Sequence, residues 1–247
     1  MSETAYPVRV DSALDPAPSR WLWLVKWLLL LPHAVVLALL WCAAAVVWVV
    51  SLVAVLATGR MPDALFDLQR GVLRWTWRVW HYGYGALGTD RYPPFTLAEV
   101  PDHPAHLTVE RPVRVSRGLA LVRWLLALPH YLVLGLFLGG GGWLVWQTGE
   151  DSPAWGAGGL VGLLVLVAGV VVLFTGRYPA PVYDFVLGMD RWALRVSAYA
   201  ALMTDAYPPF RLDQGGTDPD GVPVEPPPPS PAGTAPVTPP APAVPAR

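Results

Sequence analysis

The chain has 247 residues, of which 54% are hydrophobic and only 14% charged, whereas an ordinary soluble domain has about 25% charged residues. So few charges cannot coat a soluble globule of this size, which excludes a typical cytosolic enzyme and indicates that a lipid bilayer is part of the solvent. The formal net charge of −1 predicts no nucleic-acid partner, since such proteins carry a strongly basic region. The single cysteine, Cys42, allows no intrachain disulfide.

An internal duplication accounts for most of the chain. Pro7-Val8-Arg9-Val10 recurs as Pro112-Val113-Arg114-Val115. Five further residues have a counterpart 97 positions later: Arg20, Lys26, Trp27, Pro32 and His33 correspond to Arg117, Arg123, Trp124, Pro129 and His130. Each copy ends in Tyr-Pro-Pro-Phe, at 92–95 and 207–210. The predicted organisation is therefore a cytoplasmic N-terminal segment (1–18), membrane repeat 1 (19–97), a linker (98–110), membrane repeat 2 (111–212) and a tail (213–247).

In repeat 1, residues 21–57 form an apolar run whose only charge is Lys26. One helix of this length would extend about 55 Å, against a hydrocarbon core of about 30 Å. Two interpretations are open: a hairpin of 21–40 and 43–57, or an interfacial segment 20–31 followed by a single span 34–57. The basic residues flank the apolar runs, so the positive-inside rule favours the hairpin, with those flanks cytoplasmic.

In repeat 2, the polar stretch 147–153 divides the apolar region into 130–147 and 155–174, each about one bilayer core long. We expect this copy to cross the membrane, turn at Glu150-Asp151 and cross back. Lys26 and its counterpart Arg123 then lie near the membrane boundary as interfacial basic residues that can snorkel to the headgroups.

A different kind of helix follows each apolar region, at 63–87 and 181–202. Three arginines of the first, Arg70, Arg74 and Arg78, fall on one stripe of the helix. Arginines are costly in a lipid-facing span, so both segments are predicted to be amphipathic helices in the headgroup layer.

The candidate functional residues repeat along these two helices. They are Asp67, Arg70, Arg74 and Arg78 in repeat 1, and Asp184, Arg191 and Arg195 in repeat 2. Gly71 and Gly188 accompany them and allow another backbone to approach closely. Three interpretations are open: contacts with bulk anionic lipid, cross-pairing of Asp67 and Asp184 with the arginines of the other repeat, or a specific site for a lipid phosphate.

No residue pattern predicts catalysis, a cofactor or a metal. His33 and His130 have no other ligand-type residue at a fixed spacing, and the prolines around His103 and His106 oppose a helical ligand pair. The glycines at 139–142 lack the lysine of a phosphate loop. The sequence therefore predicts a protein that is not an enzyme.

The tail from Asp213 onward contains 12 prolines in 35 residues. It is predicted to be disordered, with polyproline II character, as a spacer or as a docking strip for a protein partner.

The motifs Leu-Pro-His, Thr-Gly-Arg, Phe-Asp…Gly-Val-Leu-Arg-Trp and Thr-Asp-Arg-Tyr-Pro-Pro-Phe resemble an uncharacterised family of bacterial membrane proteins, a domain of unknown function found in one or two copies per chain. The resemblance covers about residues 6–212. It implies an inner-membrane location and no known activity. Met61 stands where the pattern has tyrosine, and Ala206 replaces the arginine found at Arg91.

Together these observations predict an all-α, multi-pass protein of the inner (plasma) membrane, built from two tandem units of a transmembrane hairpin and an interfacial helix. The expected function is a non-enzymatic scaffold or accessory subunit that interacts with membrane lipids, including anionic headgroups. The alternative is a component of a transporter or channel, since many of these are built from duplicated repeats.

Overall fold

A computed structural model of the chain describes residues 6–139 and 159–219. The described part is mostly helical. Its elements are β1 (Val8–Ser12), a 3-10 turn (Leu22–Leu24), α1 (Lys26–Thr58), α2 (Asp63–Tyr82), β2 (Ala105–Val109), α3 (Arg117–Leu126), α4 (Leu128–Leu138), α5 (Gly159–Thr175) and α6 (Ala180–Ala200). The two strands correct the all-α prediction, since β1 lies in the predicted N-terminal segment and β2 in the predicted linker.

The apolar run of repeat 1 is one continuous helix, α1, and not the hairpin that charge placement favoured. No polar residue lies between His33 and Ser51, so nothing in the middle of the run favours a turn. Pro32 lies inside α1. It removes one backbone hydrogen bond close to the start of the helix, and the helix continues through it. At about 1.5 Å per residue, α1 is about 50 Å long.

In repeat 2 the same apolar region is divided, but it does not turn back. Along α4, His130 lies beside Trp192 of α6 and Phe137 lies beside Phe185, so α4 and α6 are antiparallel. The main chain of Gly159, which opens α5, lies against the end of α4. If α5 ran back along α4, it would end beside Trp192, whereas five residues after its end the chain enters α6 at the opposite end of that helix.

Helices α4 and α5 therefore run in one direction and together correspond to α1. This corrects the prediction that repeat 2 crosses and crosses back over 130–147 and 155–174. The predicted turn at Glu150-Asp151 lies outside the described residues. Compared with repeat 1, residues 139–158 are an insertion between the two halves of a helix. The proline shared with α1 lies at the start of α4, where α3 and α4 meet at a bend of 40°.

The two repeats pack on each other in a reciprocal way. The Arg117 side chain, at the start of α3, donates to the Ala57 carbonyl at the end of α1 (3.0 Å). Its counterpart Arg20, before α1, lies against Gly176 at the end of α5. Strands β1 and β2 pair antiparallel, with Val10 opposite Leu107. These contacts are related by an approximate twofold axis that passes through the strand pair.

The strand pairing also corrects the predicted start of repeat 2. Val10 and Leu107 are 97 positions apart, the same offset as Arg20 and Arg117. Strand β2 is therefore the structural counterpart of β1. The similar residues at 112–115 form no strand.

Helix α2 is the middle of three layers. On one face, Thr76 accepts a hydrogen bond from Trp41 of α1 (3.1 Å) and Gly83, just past its end, contacts Leu30. On the opposite face, Arg74 donates to the Leu107 carbonyl of β2 (2.9 Å). Helix α6 has the same position in repeat 2, between α4–α5 and β1. Both helices are covered on two sides, and their location in the headgroup layer, predicted for 63–87 and 181–202, stays a prediction.

The outer layer, formed by α1, α3, α4 and α5, is apolar and exposed. In the most apolar stretch of α1, only 11% of the residues are buried, so α1 is not the core helix of a globule. Among the described residues, α1 is long and apolar enough to cross a membrane, and α3 with α4 qualifies as a second such helix if the bent pair is one span. We call these four helices the apolar layer, and the strands with the chain segments beside them the polar layer.

The predicted tail begins later than Asp213. Residues 213–218 pack on the body: the Ser12 amide donates to the Gly216 carbonyl (2.9 Å), and the Asp218 side chain is fully buried. The proline-rich remainder from 220 onward lies outside the described residues.

Candidate functional site

The arginine stripe of repeat 1 holds the segment that follows the first Tyr-Pro-Pro-Phe. Arg78 is buried and donates to the carbonyls of Thr96 and Ala98, while Arg74 pairs with Glu99 (2.8 Å). A Cβ on Gly71 would lie 2.7 Å from the Leu97 Cβ, so the glycine permits this close approach, as predicted for a backbone neighbour.

The stripe of repeat 2 makes the equivalent contacts with the segment 211–218. Arg191 donates to the carbonyls of Val10, Asp213 and Gly215. Arg195 pairs with both Asp213 (2.5 Å) and Asp218 (2.8 Å). Each stripe therefore binds its own following segment and also one strand of the approximate twofold pair.

The predicted partners of the two aspartates are not those observed. Asp67 pairs with Arg70 (2.7 Å) and Arg111 (2.7 Å), both close to it in the first half of the chain, and not with an arginine of 184–195. Asp184 is half-buried. Carboxylates and carbonyls of the protein surround Arg78, Arg191 and Arg195, so these three side chains do not converge on an open anion site. The predicted contact of the stripes with anionic lipid stays a prediction.

Lys26 and Arg123 are buried rather than interfacial. The Lys26 ammonium pairs with Asp90 (3.0 Å) and donates to the Thr89 carbonyl (2.7 Å). Arg123 pairs with Asp205 (2.6 Å) and donates to the Thr204 carbonyl (3.0 Å). With only 1% of each basic side chain exposed, neither can snorkel. Both instead tie the start of an apolar helix to the Thr-Asp before Tyr-Pro-Pro-Phe.

Each proline-histidine motif forms the centre of an aromatic cluster. His33 accepts a hydrogen bond from Trp75 (3.2 Å) and stacks on Phe95, with ring centroids 4.0 Å apart. His130 accepts from Trp192 (3.1 Å) and stacks on Phe210 at the same 4.0 Å distance. The histidines therefore join the apolar helix, the middle helix and the Tyr-Pro-Pro-Phe segment of each repeat.

A buried polar network joins the middle helices to β1. His81 is hydrogen-bonded to the Tyr183 hydroxyl (2.9 Å), which is also bonded to Ser12 (2.6 Å). Burial lowers the pKa of His81 to about 3. Burial, with Arg78 nearby, lowers the pKa of His103 to about 4. Both imidazoles are therefore neutral at pH 7.

A cavity of about 440 Å³ lies between the repeats. It lies where α1 and α3 cross above the middle helices, and its lining is mostly apolar. Its walls are formed by Trp41, Ala44, Ala45, Trp48, Gln69, Val72, Leu73, Ala120, Arg123, Trp124, Tyr131, Ser197, Ala200 and Ala201. In the described residues, no three His, Cys, Asp or Glu side chains are placed to hold a metal ion.

The partners of the buried cations were not predicted from the sequence. Asp90 and Asp205 were visible as a signal, because Thr-Asp recurs at the same place before each Tyr-Pro-Pro-Phe. The cavity was not predicted either; it is indicated in the sequence by the positions where the two copies differ in side-chain size.

The geometry defines a class: a duplicated helical protein with one exposed apolar layer. The chain belongs to the family described as Domain of unknown function (DUF4389), which matches residues 20–96 and 154–211, more than half of its length. Neither the curated proteins nor the solved structures include a match to it. The family resemblance expected from the sequence motifs is thus confirmed, and it brings no activity with it.

Proposed function

We propose that the protein is a non-enzymatic component of a bacterial plasma membrane, a scaffold or accessory subunit held in the bilayer by its apolar layer. The observation that carries the proposal is the exposure of that layer: side chains such as Leu39 (67% exposed), Leu132 (67%) and Phe174 (75%) face outward from different helices. Contiguous apolar surface of this kind is typical of a membrane contact. Lipid tails cover it at no cost of desolvation.

The layers further favour an arrangement in which the apolar helices lie along the membrane surface. If α1 crossed the bilayer, α2 would lie beside it in the hydrocarbon, together with the strand pair on its other face. Exposed charges of the polar layer, such as Glu110 (57% exposed) and Arg111 (35%), would then enter the lipid, which costs several kcal/mol for each arginine. With the helices in the membrane plane, the polar layer faces water and the apolar layer faces the tails.

The non-enzymatic part of the proposal is supported by what the buried charges do. Lys26, Arg123, Arg191 and Arg195 are each engaged by a carboxylate that joins two segments of the fold. In these ion pairs they stabilise the structure. The tail beyond residue 219 is proposed to be available to a cytoplasmic protein partner.

Single-cysteine labelling tests the arrangement. In a Cys42→Ser background, Ala17→Cys and Arg60→Cys place one exposed thiol just before α1 and one just after it. For helices in the membrane plane, both thiols react in inverted vesicles and neither reacts in intact cells. Reaction of only one of them in intact cells would mean that α1 crosses the bilayer. Recovery of the protein in the soluble fraction after cell lysis would refute the membrane proposal itself.

A transporter or channel component is the second candidate, because α1 and the α4–α5 pair run in opposite directions. Antiparallel repeats of this kind build many transporters. The apolar lining of the cavity opposes it, since an aqueous path needs polar walls. The labelling result with α1 crossing the bilayer would favour this candidate.

A further inference from the structure

The cavity between the repeats opens within the apolar layer. The side chains at its rim are aromatic and partly exposed: Trp41 (44%), Trp124 (57%) and Tyr131 (42%). Small residues form its walls, among them Ala44, which faces it from α1. Its volume of about 440 Å³ is within the range of about 300–1,000 Å³ found for small-molecule sites. A ligand entering through this rim would come from the lipid side.

The position related by the approximate twofold is closed. There, Trp23 packs against Gly169, and the remaining void near Lys26 is only about 10 Å³. Repeat 2 has Ala120 where repeat 1 has Trp23, and repeat 1 has Leu52 where repeat 2 has Gly169. At the closed position the indole ring of Trp23 fills the space, whereas the small side chain of Ala120 leaves the equivalent space open.

A second pair of residues differs in the same sense. Trp80 of repeat 1 reaches α6 and donates to the Asp190 carboxyl (3.0 Å). Its counterpart is Ser197, which lines the cavity, and the counterpart of Asp190 is Leu73, which also lines it. Two tryptophans, Trp23 and Trp80, therefore close one position, and their counterparts at the other position are alanine and serine. The space is open on one side of the approximate twofold axis and closed on the other.

The cavity wall also includes a buried polar atom that has no hydrogen-bond partner. Gln69 is 4% exposed, lines the cavity and has no hydrogen-bond partner for its Oε1 atom; the Nε of Arg123, which lines the same cavity, is also unpaired. A buried amide oxygen without a donor is destabilising, so such groups are rare in native proteins. A ligand with a hydroxyl or amide N–H would donate to it.

We propose that this cavity binds the hydrocarbon chain of a membrane lipid that carries a hydroxyl or amide hydrogen-bond donor, with the donor at Gln69. The apolar walls hold the chain, and the aromatic rim lies at the surface from which lipid enters. This inference rests on the proposed function, since it takes the ligand from the bilayer in which the apolar layer lies.

Photolabelling in proteoliposomes tests the proposal. The full chain is reconstituted with a long-chain primary alcohol that carries a diazirine in its chain, and with the matching methyl ether as a second probe. Ala120→Trp and Ser197→Trp each place in the cavity the residue that repeat 1 has at the equivalent position. Leu132→Trp, on the exposed surface of α4, is the matched control. Gln69→Leu removes the acceptor.

We expect the alcohol to label peptides containing Trp41–Trp48 and Ala120–Trp124 in the parent protein and in Leu132→Trp, and this labelling to be lost in both cavity-filling variants. Gln69→Leu should label equally with the alcohol and the ether, whereas the parent prefers the alcohol. Unchanged cavity labelling in folded Ala120→Trp and Ser197→Trp would overturn the inference. So would a parent protein that stays in the liposomes without cavity labelling, a result that leaves the membrane proposal standing. A parent protein that does not enter the liposomes would refute both.

Discussion

Asp218 provides the sharpest test of the polar layer. Its carboxylate is fully buried, accepts from the Val10 amide (2.9 Å) and pairs with Arg191 (3.4 Å) and Arg195 (2.8 Å). Asp218→Asn keeps the shape but removes the fully buried one of the two carboxylates, Asp213 and Asp218, that compensate the guanidinium groups of Arg191 and Arg195. Breaking a buried ion pair from one side costs about 3–5 kcal/mol. For a chain of this size, that loss lowers Tm by roughly 6–20 °C.

Glu110→Gln is the control for this change. It is the same carboxylate-to-amide substitution in an ion pair, that of Glu110 with Arg9 at 2.8 Å, but here 57% of the carboxylate side chain is exposed. Exposed pairs contribute about 0–1 kcal/mol, so Tm should change little. Both variants are compared by thermal unfolding of the full chain in the same detergent, with circular dichroism as the readout. If Asp218→Asn unfolds at the same temperature as Glu110→Gln, the buried cluster does not hold the polar layer together and the reasoning is wrong.

Two further predictions concern packing and pH. Gly71→Ala should destabilise the fold by about 1–3 kcal/mol, because the new Cβ would meet Leu97. The control is Gly118→Ala, which has nothing within 4 Å of the new Cβ and should stabilise the fold by about 0.5–1 kcal/mol. Equal Tm values of the two variants would contradict the close approach of Leu97 to Gly71. The lowered pKa values of His81 (about 3) and His103 (about 4) mean that the unfolded chain takes up protons below about pH 6.5 while the folded chain does not. Stability is therefore complete above that pH and falls as the pH is lowered toward 4, by about 1–2 kcal/mol per histidine at pH 5. His103→Asn, whose side-chain oxygen can still accept from the Ala105 amide, should reduce this dependence, and an unchanged pH profile in denaturant unfolding would contradict the assignment.

The sequence contains enough information for the repeat and the helices, but not for their directions. Conserved spacing between the copies locates α1, α2 and α6 to within a few residues of their observed ends, because apolar runs and the arginine stripe are local signals. Whether an apolar run turns back is set by contacts between distant residues, such as Phe137 with Phe185. Such contacts leave no trace in the composition of a single segment. The hairpin of repeat 1 was therefore predicted from charge placement and that of repeat 2 from the polar stretch 147–153, and both predictions were wrong.

The candidate site shows a related limit. The sequence picked out the right arginines, because a charge that recurs on one helical face is conspicuous in a duplicated chain. It did not give their partners, since Asp218 lies in a segment that its prolines and glycines made look disordered. A high proline content shows that a segment cannot form a helix, but it does not show that the segment is disordered. Asp218 packs on the body through its carboxylate and its backbone, and neither contact requires a helix. Composition therefore placed the start of the tail a few residues too early.

Duplication also explains where the two halves of the molecule can differ. The cation, its aspartate, the histidine and its aromatic partners recur in both repeats, because each set closes the same junction between an apolar helix and the segment that contains Thr-Asp and Tyr-Pro-Pro-Phe. The cations are Lys26 and Arg123, and their aspartates are Asp90 and Asp205. A change there would weaken that junction. Trp23 and Ala120 lie outside these junctions, at two separate contacts between the repeats that the approximate twofold axis relates. An alanine at position 120, where repeat 1 has Trp23, opens space without breaking either junction. A leucine at position 69 would fill space at the cavity wall and leave no unpaired oxygen, whereas Gln69 provides a buried acceptor that a ligand with a hydroxyl or amide N–H satisfies.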